Sequence, residues 1–239
     1  MMEEAMTLNN NAVLYLQIGN TFEACNLLTQ ASAIYLQLSD FGAGNKHRKK
    51  HREHRITWID FAISDDEFPL DNMDRVNFPL VYKYALTVNK ACCCGTSPET
   101  IKCCCCGDDS DTCPCILSPV IWYNLGLTCQ ILGANLDDNT GDKEFYFRRS
   151  FDLYQRVLST CANAGDAHGL STLIMAALNN IACVLYSLGK YGKCWEMIRR
   201  LQFMVQSCSS QPGRHPEYTI FYSNMMLLDF KAPMTASAA

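Results

Sequence analysis

One pattern recurs three times along this chain, and no other feature restricts its folding as much. Leu8-Asn9-Asn10-Asn11-Ala12-Val13-Leu14-Tyr15-Leu16-Gln17-Ile18-Gly19 aligns without gaps on Leu178-Asn179-Asn180-Ile181-Ala182-Cys183-Val184-Leu185-Tyr186-Ser187-Leu188-Gly189. Trp122-Tyr123-Asn124-Leu125-Gly126-Leu127-Thr128-Cys129-Gln130-Ile131-Leu132-Gly133 is a third copy. Self-similarity of this kind marks a fold built from stacked units. Leu8, Ala12, Tyr15 and Gly19 lie on one face of a helix by their spacing. Ala12, Gly126 and Ala182 keep one equivalent position small, so that a second helix can approach closely. Gly19, Gly133 and Gly189 are expected just past the helix ends, where glycine is preferred.

An amphipathic run follows each stop. Phe22 to Leu38 carries Ala24, Leu28 and Ala31 on one stripe; Phe145 to Leu158 carries Phe147, Ser150, Tyr154 and Val157; Tyr191 to Val205 carries Cys194, Ile198 and Leu201. Each unit therefore reads as helix, turn, helix. The expected pairs lie near 4–38, 117–164 and 166–208, within one domain over 1–239. The second turn is expanded by the polar stretch Ala134 to Asp142.

Trp122-x-x-Leu125-Gly126-x-x-Cys129 resembles the first-helix signature of tetratricopeptide repeats, with Cys129 in place of the usual aromatic. Gly189-x-Tyr191-x-x-Cys194 matches the following part, with Cys194 where that family has alanine. The Leu-Asn-Asn-x-Ala opening is similar to the longer repeats of kinesin light chains. The resemblance covers residues near 5–38, 119–158 and 175–208; the family's trailing proline is absent and the units are unevenly spaced. It implies a mainly α fold of about three TPR-like pairs, whose first helices line a groove that binds a protein or peptide partner. Asn9, Asn10, Tyr123, Asn124, Asn179 and Asn180 occupy equivalent places on those helices and are the candidate groove residues. Asparagine donates and accepts, which suits an extended peptide backbone; bonding between neighbouring helices would satisfy the same amides equally well. The family's carboxylate clamp for acidic chaperone tails is not expected. Its basic positions are filled here by Asn9, Ala176 and Asn180, and a desolvated carboxylate needs cationic donors.

Residues 39–116 interrupt the units. Lys46 to Arg55 is a basic run containing His47, His51 and His54, expected to be a solvated linker, with a targeting signal or nucleic-acid contact as the alternative. Arg55 to Ser64 and Phe78 to Val88 alternate and are rich in β-branched and aromatic residues, which predicts an inserted two-stranded antiparallel β-ribbon. Asp65 to Asp74 reads as an acidic loop. Nine of the fifteen cysteines fall between Cys92 and Cys115. Cys103, Cys106, Cys113 and Cys115 offer zinc-like spacings, but the runs of adjacent cysteines and the Gly/Asp/Ser flanks favour a low-complexity loop over Ala91 to Pro119. No cofactor is expected. The alternative is a zinc-binding or redox-sensing protein acting through this segment. Residues 209–239 are expected to cap the core over Pro216 to Leu228 and to end in a disordered tail.

A net charge of −4 supplies no basic field for nucleic acid. No apolar run is expected to span a bilayer, and the acidic start Met1-Met2-Glu3-Glu4 lacks the form of a signal peptide, so an intracellular, cytoplasmic location is the expectation. No G-x-S-x-G elbow, phosphate-binding loop or H-E-x-x-H pair occurs, and His168 and His215 have no catalytic company. These features point to a non-catalytic interaction module or scaffold.

Overall fold

The computed structural model describes residues 1–41, 52–60, 81, 84–90, 100–103, 114–136, 141–163, 170–208 and 218–229. These are mainly helical. In chain order the elements are α1 (Met2–Gln17), α2 (Thr21–Phe41), β1 (Arg52–Asp60), β2 (Tyr84–Lys90), β3 (Thr100–Cys103), α3 (Pro114–Ala134), α4 (Gly141–Asn163), α5 (Ser171–Ser187), α6 (Tyr191–Cys208) and α7 (Tyr218–Asp229).

The helices pack as sequential hairpins. α1 lies against α2, α3 against α4 and α5 against α6; α2 also meets α3, and α4 meets α5. Two of the hairpin turns share one design. Gly19 has φ 78° and Gly189 has φ 68°, a left-handed conformation that side chains disfavour. Each glycine lets the chain fold back on the helix it leaves: the N–H of Asn20 donates to the carbonyl of Tyr15 at 2.9 Å, and that of Lys190 to Leu185 at 2.8 Å. These six-to-one bonds satisfy carbonyls at the helix ends. The Asn20 side chain then accepts the N–H of Glu23 at 3.2 Å and caps α2.

Gly133 departs from this pattern. It lies inside α3 rather than past its end. A Cβ there would sit 3.2 Å from the Cβ of Tyr146 and 3.3 Å from the ring of Phe147. Gly133 thus serves the close approach of α4, and the last helical residue, Ala134, is the next one. Gly126 does the same two turns earlier on that face: a Cβ would meet the Tyr154 ring at 2.9 Å, and Ser150 of α4 donates to the Gly126 carbonyl at 2.8 Å.

α3 is the central helix. It touches α1, α2, α4, α5 and β2, and nearly every residue from Ile116 to Ile131 is buried. A helix packed on all sides is apolar all round. Ile116–Ala134 is in consequence long and apolar enough to cross a membrane by composition, which the sequence reading did not expect, but it is enclosed by the other helices.

The strands form an antiparallel sheet in the order β2-β1-β3. β1 and β2 overlap the ranges expected for the ribbon, 55–64 and 78–88, and reach beyond them at 52–54 and 89–90; residues 61–64, 78–80 and 82–83 lie outside the described residues. The expected loop over 91–119 is interrupted by β3 and ends where α3 begins at Pro114. β3 is held by main-chain pairing with β1, which cysteine-rich composition gives no means of foreseeing. The basic run up to residue 51, the acidic loop 65–74, His168, His215 and the tail 230–239 lie outside the described residues. α7 packs on α5 and α6, with Phe221 and Asn224 buried.

Candidate functional site

The repeat asparagines meet a strand. On α1, Asn9 is fully buried and Asn10 partly so; on α3, Asn124 is fully buried. All three bond to the main chain of β2. Asn124 accepts the N–H of Leu86 on its Oδ1 at 2.9 Å and donates from Nδ2 to the Leu86 carbonyl at 2.7 Å. Asn10 repeats this two residues on, accepting the N–H of Val88 at 3.0 Å and donating to the Val88 carbonyl at 2.9 Å. Asn9 donates to the Leu86 carbonyl at 3.0 Å, giving that oxygen a second donor.

The strand geometry explains this spacing. In an extended residue the N–H and C=O point to the same side, and successive residues alternate sides. Leu86 and Val88 therefore offer a donor and an acceptor each on one edge of β2, while residues 85, 87 and 89 face β1. A primary amide carries the complementary acceptor and donor. Asn10 and Asn124 thus act as the next strand would, and the edge of β2 is covered by side chains.

The amides also orient one another. Asn124 donates its remaining hydrogen to Asn9 Oδ1 at 2.9 Å, and Asn9 donates to Asn10 Oδ1 at 3.2 Å. Swapping the oxygen and nitrogen of any one would set like groups facing each other, so the network has one consistent assignment. Satisfied networks of this kind are rigid, and breaking one member leaves buried polar atoms stranded. Around them, Ala85, Leu86 and Val88 have no exposed surface and Thr87 has 9 %.

Tyr123, Asn179 and Asn180 belong to a second network, which links helix to helix. Asn180 donates to the hydroxyls of Tyr154 at 3.2 Å and Tyr123 at 3.4 Å. Tyr154 donates to Gln130 Oε1 at 2.9 Å. Burial pushes the Tyr154 phenol well above its ordinary range, against the bonds from Asn180 and Ser150. Asn179 donates to Asn180 at 3.1 Å and accepts from Asn224 of α7 at 2.6 Å. The six residues singled out by sequence alignment thus divide into a strand-holding set and a helix-bridging set. Sequence reasoning missed Gln130, Asn224, Leu86 and Val88. Tyr154 was placed on the packing stripe of its helix, but its hydroxyl bond was not foreseen. Asn224 could have been found as the one amide in the apolar capping segment.

The cysteine candidates are placed only in part. Cys103 ends β3 and Cys115 lies in the first turn of α3, whereas Cys106 and Cys113 lie outside the described residues. Among the described residues no group of three or more His, Cys, Asp or Glu is placed to hold a metal ion. A different pair of thiols does meet: Cys25 of α2 and Cys129 of α3 share a hydrogen bond near Arg149. That bond, helped by the Arg149 charge and Thr29, holds Cys25 below the ordinary thiol range against its own burial. The same bond and burial push Cys129 up.

Comparison with known protein families, with curated proteins and with solved structures finds no match for this chain.

Proposed function

We propose that this chain is a non-catalytic interaction module that holds extended polypeptide on the asparagine-bearing faces of its first helices. In this reading α1–α2, α3–α4 and α5–α6 are three TPR-like repeats. The β1–β2 ribbon is an insertion between the first and second of them, and α7 is the terminal cap. One observation carries the reading: Asn10 and Asn124 each bind the N–H and the C=O of a single strand residue, two residues apart. Amide pairs at that spacing fit an extended main chain and make no demand on side-chain identity, as in strand-addition recognition. The TPR-like assignment itself rests on the repeat alignment and on the sequential hairpin packing.

The test is selection of peptides from a displayed random library on the full chain, repeated on the Asn10→Ala/Asn124→Ala variant. Enriched sequences with alternating aliphatic residues that lose their enrichment on the variant support the reading. Enrichment indifferent to both substitutions, or none on the native chain at any concentration, refutes it.

A further inference from the structure

If the asparagine face holds extended backbone, the strand now on it is a ligand supplied by the chain itself. We propose that β2 is an exchangeable occupant of this site. The external partner it gives way to is an extended segment of another protein, carrying two aliphatic residues in i, i+2 spacing with a free main-chain N–H at each. The inference rests on the interaction-module reading and adds the partner's chemistry and its competition with β2.

The occupant specifies the ligand. Five bonds from Asn9, Asn10 and Asn124 reach β2, and all five end on main-chain atoms of Leu86 and Val88. No bond between these three asparagines and β2 reads a side chain, so polar recognition does not separate β2 from another strand. Selectivity is left to burial. Leu86 and Val88 have no exposed surface, so charged side chains at those two places would be desolvated without a partner. Proline is excluded at both, because Asn124 and Asn10 each accept an N–H there. The accepted pattern is aliphatic-x-aliphatic, with no charge and no proline at the enclosed positions.

Competition follows from tethering. β2 is joined to β1 by the 23 residues 61–83, so it samples the site at high local concentration. Covalent attachment makes its binding intramolecular, with an effective concentration set by the connection. A free segment must exceed it or bind more tightly, and its apparent affinity falls by the fraction of chains with the site open. The helix hairpins are closed by their own turns and by direct helix–helix contacts, so we expect them to survive release of β2. The cost is the bonds to the asparagines, the pairing of residues 84–90 with β1 and the burial of residues 85 to 88, which a segment of the same pattern restores.

The experiment uses the full chain and a fluorescent peptide of residues 81–91. Binding is followed by anisotropy to the native chain and to the Leu86→Pro/Val88→Pro variant. That variant removes the two N–H donors of β2 while leaving every asparagine in place. We expect the variant to bind the peptide at least about tenfold more tightly than the native chain. A peptide with proline at the position of Leu86 should bind neither. Adding Asn10→Ala and Asn124→Ala to the variant should abolish binding. Should the double-proline chain lose its helical circular dichroism, hydrogen exchange on the isotope-labelled native chain decides instead: excess peptide should speed exchange at the β2 amides of Leu86 and Val88, which the asparagines hold, before the helices respond. Equal affinity for native and variant chains overturns the competition with β2 and leaves the module reading standing. Binding that survives loss of both asparagines overturns the site itself. No binding to a folded variant, with no change in β2 exchange, overturns the inference, and the library selection then judges the module reading separately.

Discussion

Asn124→Ala should cost this chain about 3 kcal/mol, most of it on β2 rather than on the helices. The side chain is fully buried and makes three bonds: to the N–H of Leu86, to its carbonyl, and to Asn9 Oδ1. Truncation leaves the Leu86 N–H facing an apolar wall, a penalty of about 1–3 kcal/mol for a buried donor. The Leu86 carbonyl is spared, because Asn9 still donates to it at 3.0 Å. Asn9 Oδ1 loses its donor, adding about 1 kcal/mol, and the small cavity adds a fraction more. Guanidinium unfolding with constant slope measures the total, and hydrogen exchange at Leu86 locates it. Asn135→Ala, at an exposed asparagine past the end of the same helix, is the control and should stay within about 0.5 kcal/mol of native. The isosteric Asn124→Asp sharpens the argument. It sets an oxygen 2.7 Å from the Leu86 carbonyl and 2.9 Å from Asn9 Oδ1. Burial and these acceptors raise that carboxyl's pKa in the folded chain. The folded state then holds a proton that the unfolded state releases above about pH 4. Stability of this variant should therefore fall as pH rises from there, the reverse of an ion-paired aspartate. A loss under about 1 kcal/mol for Asn124→Ala, with the Leu86 amide still protected, would show that the asparagine does not hold the strand.

Gly126→Ala should cost about 2 kcal/mol through overpacking, because the Tyr154 ring it would strike is buried and pinned by Gln130. Gly189→Ala has open space around the new methyl and should cost only the left-handed backbone penalty, about 1 kcal/mol; thermal unfolding of both variants checks the order. Tyr154 should stay neutral beyond the ordinary tyrosine range, because burial raises its pKa. Above about pH 10 the unfolded chain releases that proton and the folded chain keeps it, so this group lowers stability as pH rises. Ultraviolet titration should then show a phenol that ionises only with unfolding, and Tyr154→Phe removes it. Cys25, held low by the Cys129 bond, should be alkylated at neutral pH before Cys161 and Cys183, which burial raises. Mass spectrometry of the briefly labelled native chain reads this directly, and equal labelling of all three refutes it.

The sequence alone determined the equivalence of Asn9–Asn10, Tyr123–Asn124 and Asn179–Asn180. The helix period and the small residue at Ala12, Gly126 and Ala182 are local patterns that survive in the linear order. It also located the turns at Gly19 and Gly189, where a left-handed residue is a local requirement. Gly133 was misplaced because a glycine kept for close helix approach looks the same as one kept for a turn. Only the tertiary structure decided what the asparagines bind. Asn9 meets Leu86 across 77 positions and Asn179 meets Asn224 across 45. An amide carries donors and acceptors that suit a neighbouring helix, a strand or a foreign peptide alike. The choice among them is made by which backbone edge arrives at the site. That depends on the long connections between elements and on which surfaces remain to be buried, and neither is a property of the residues at the site.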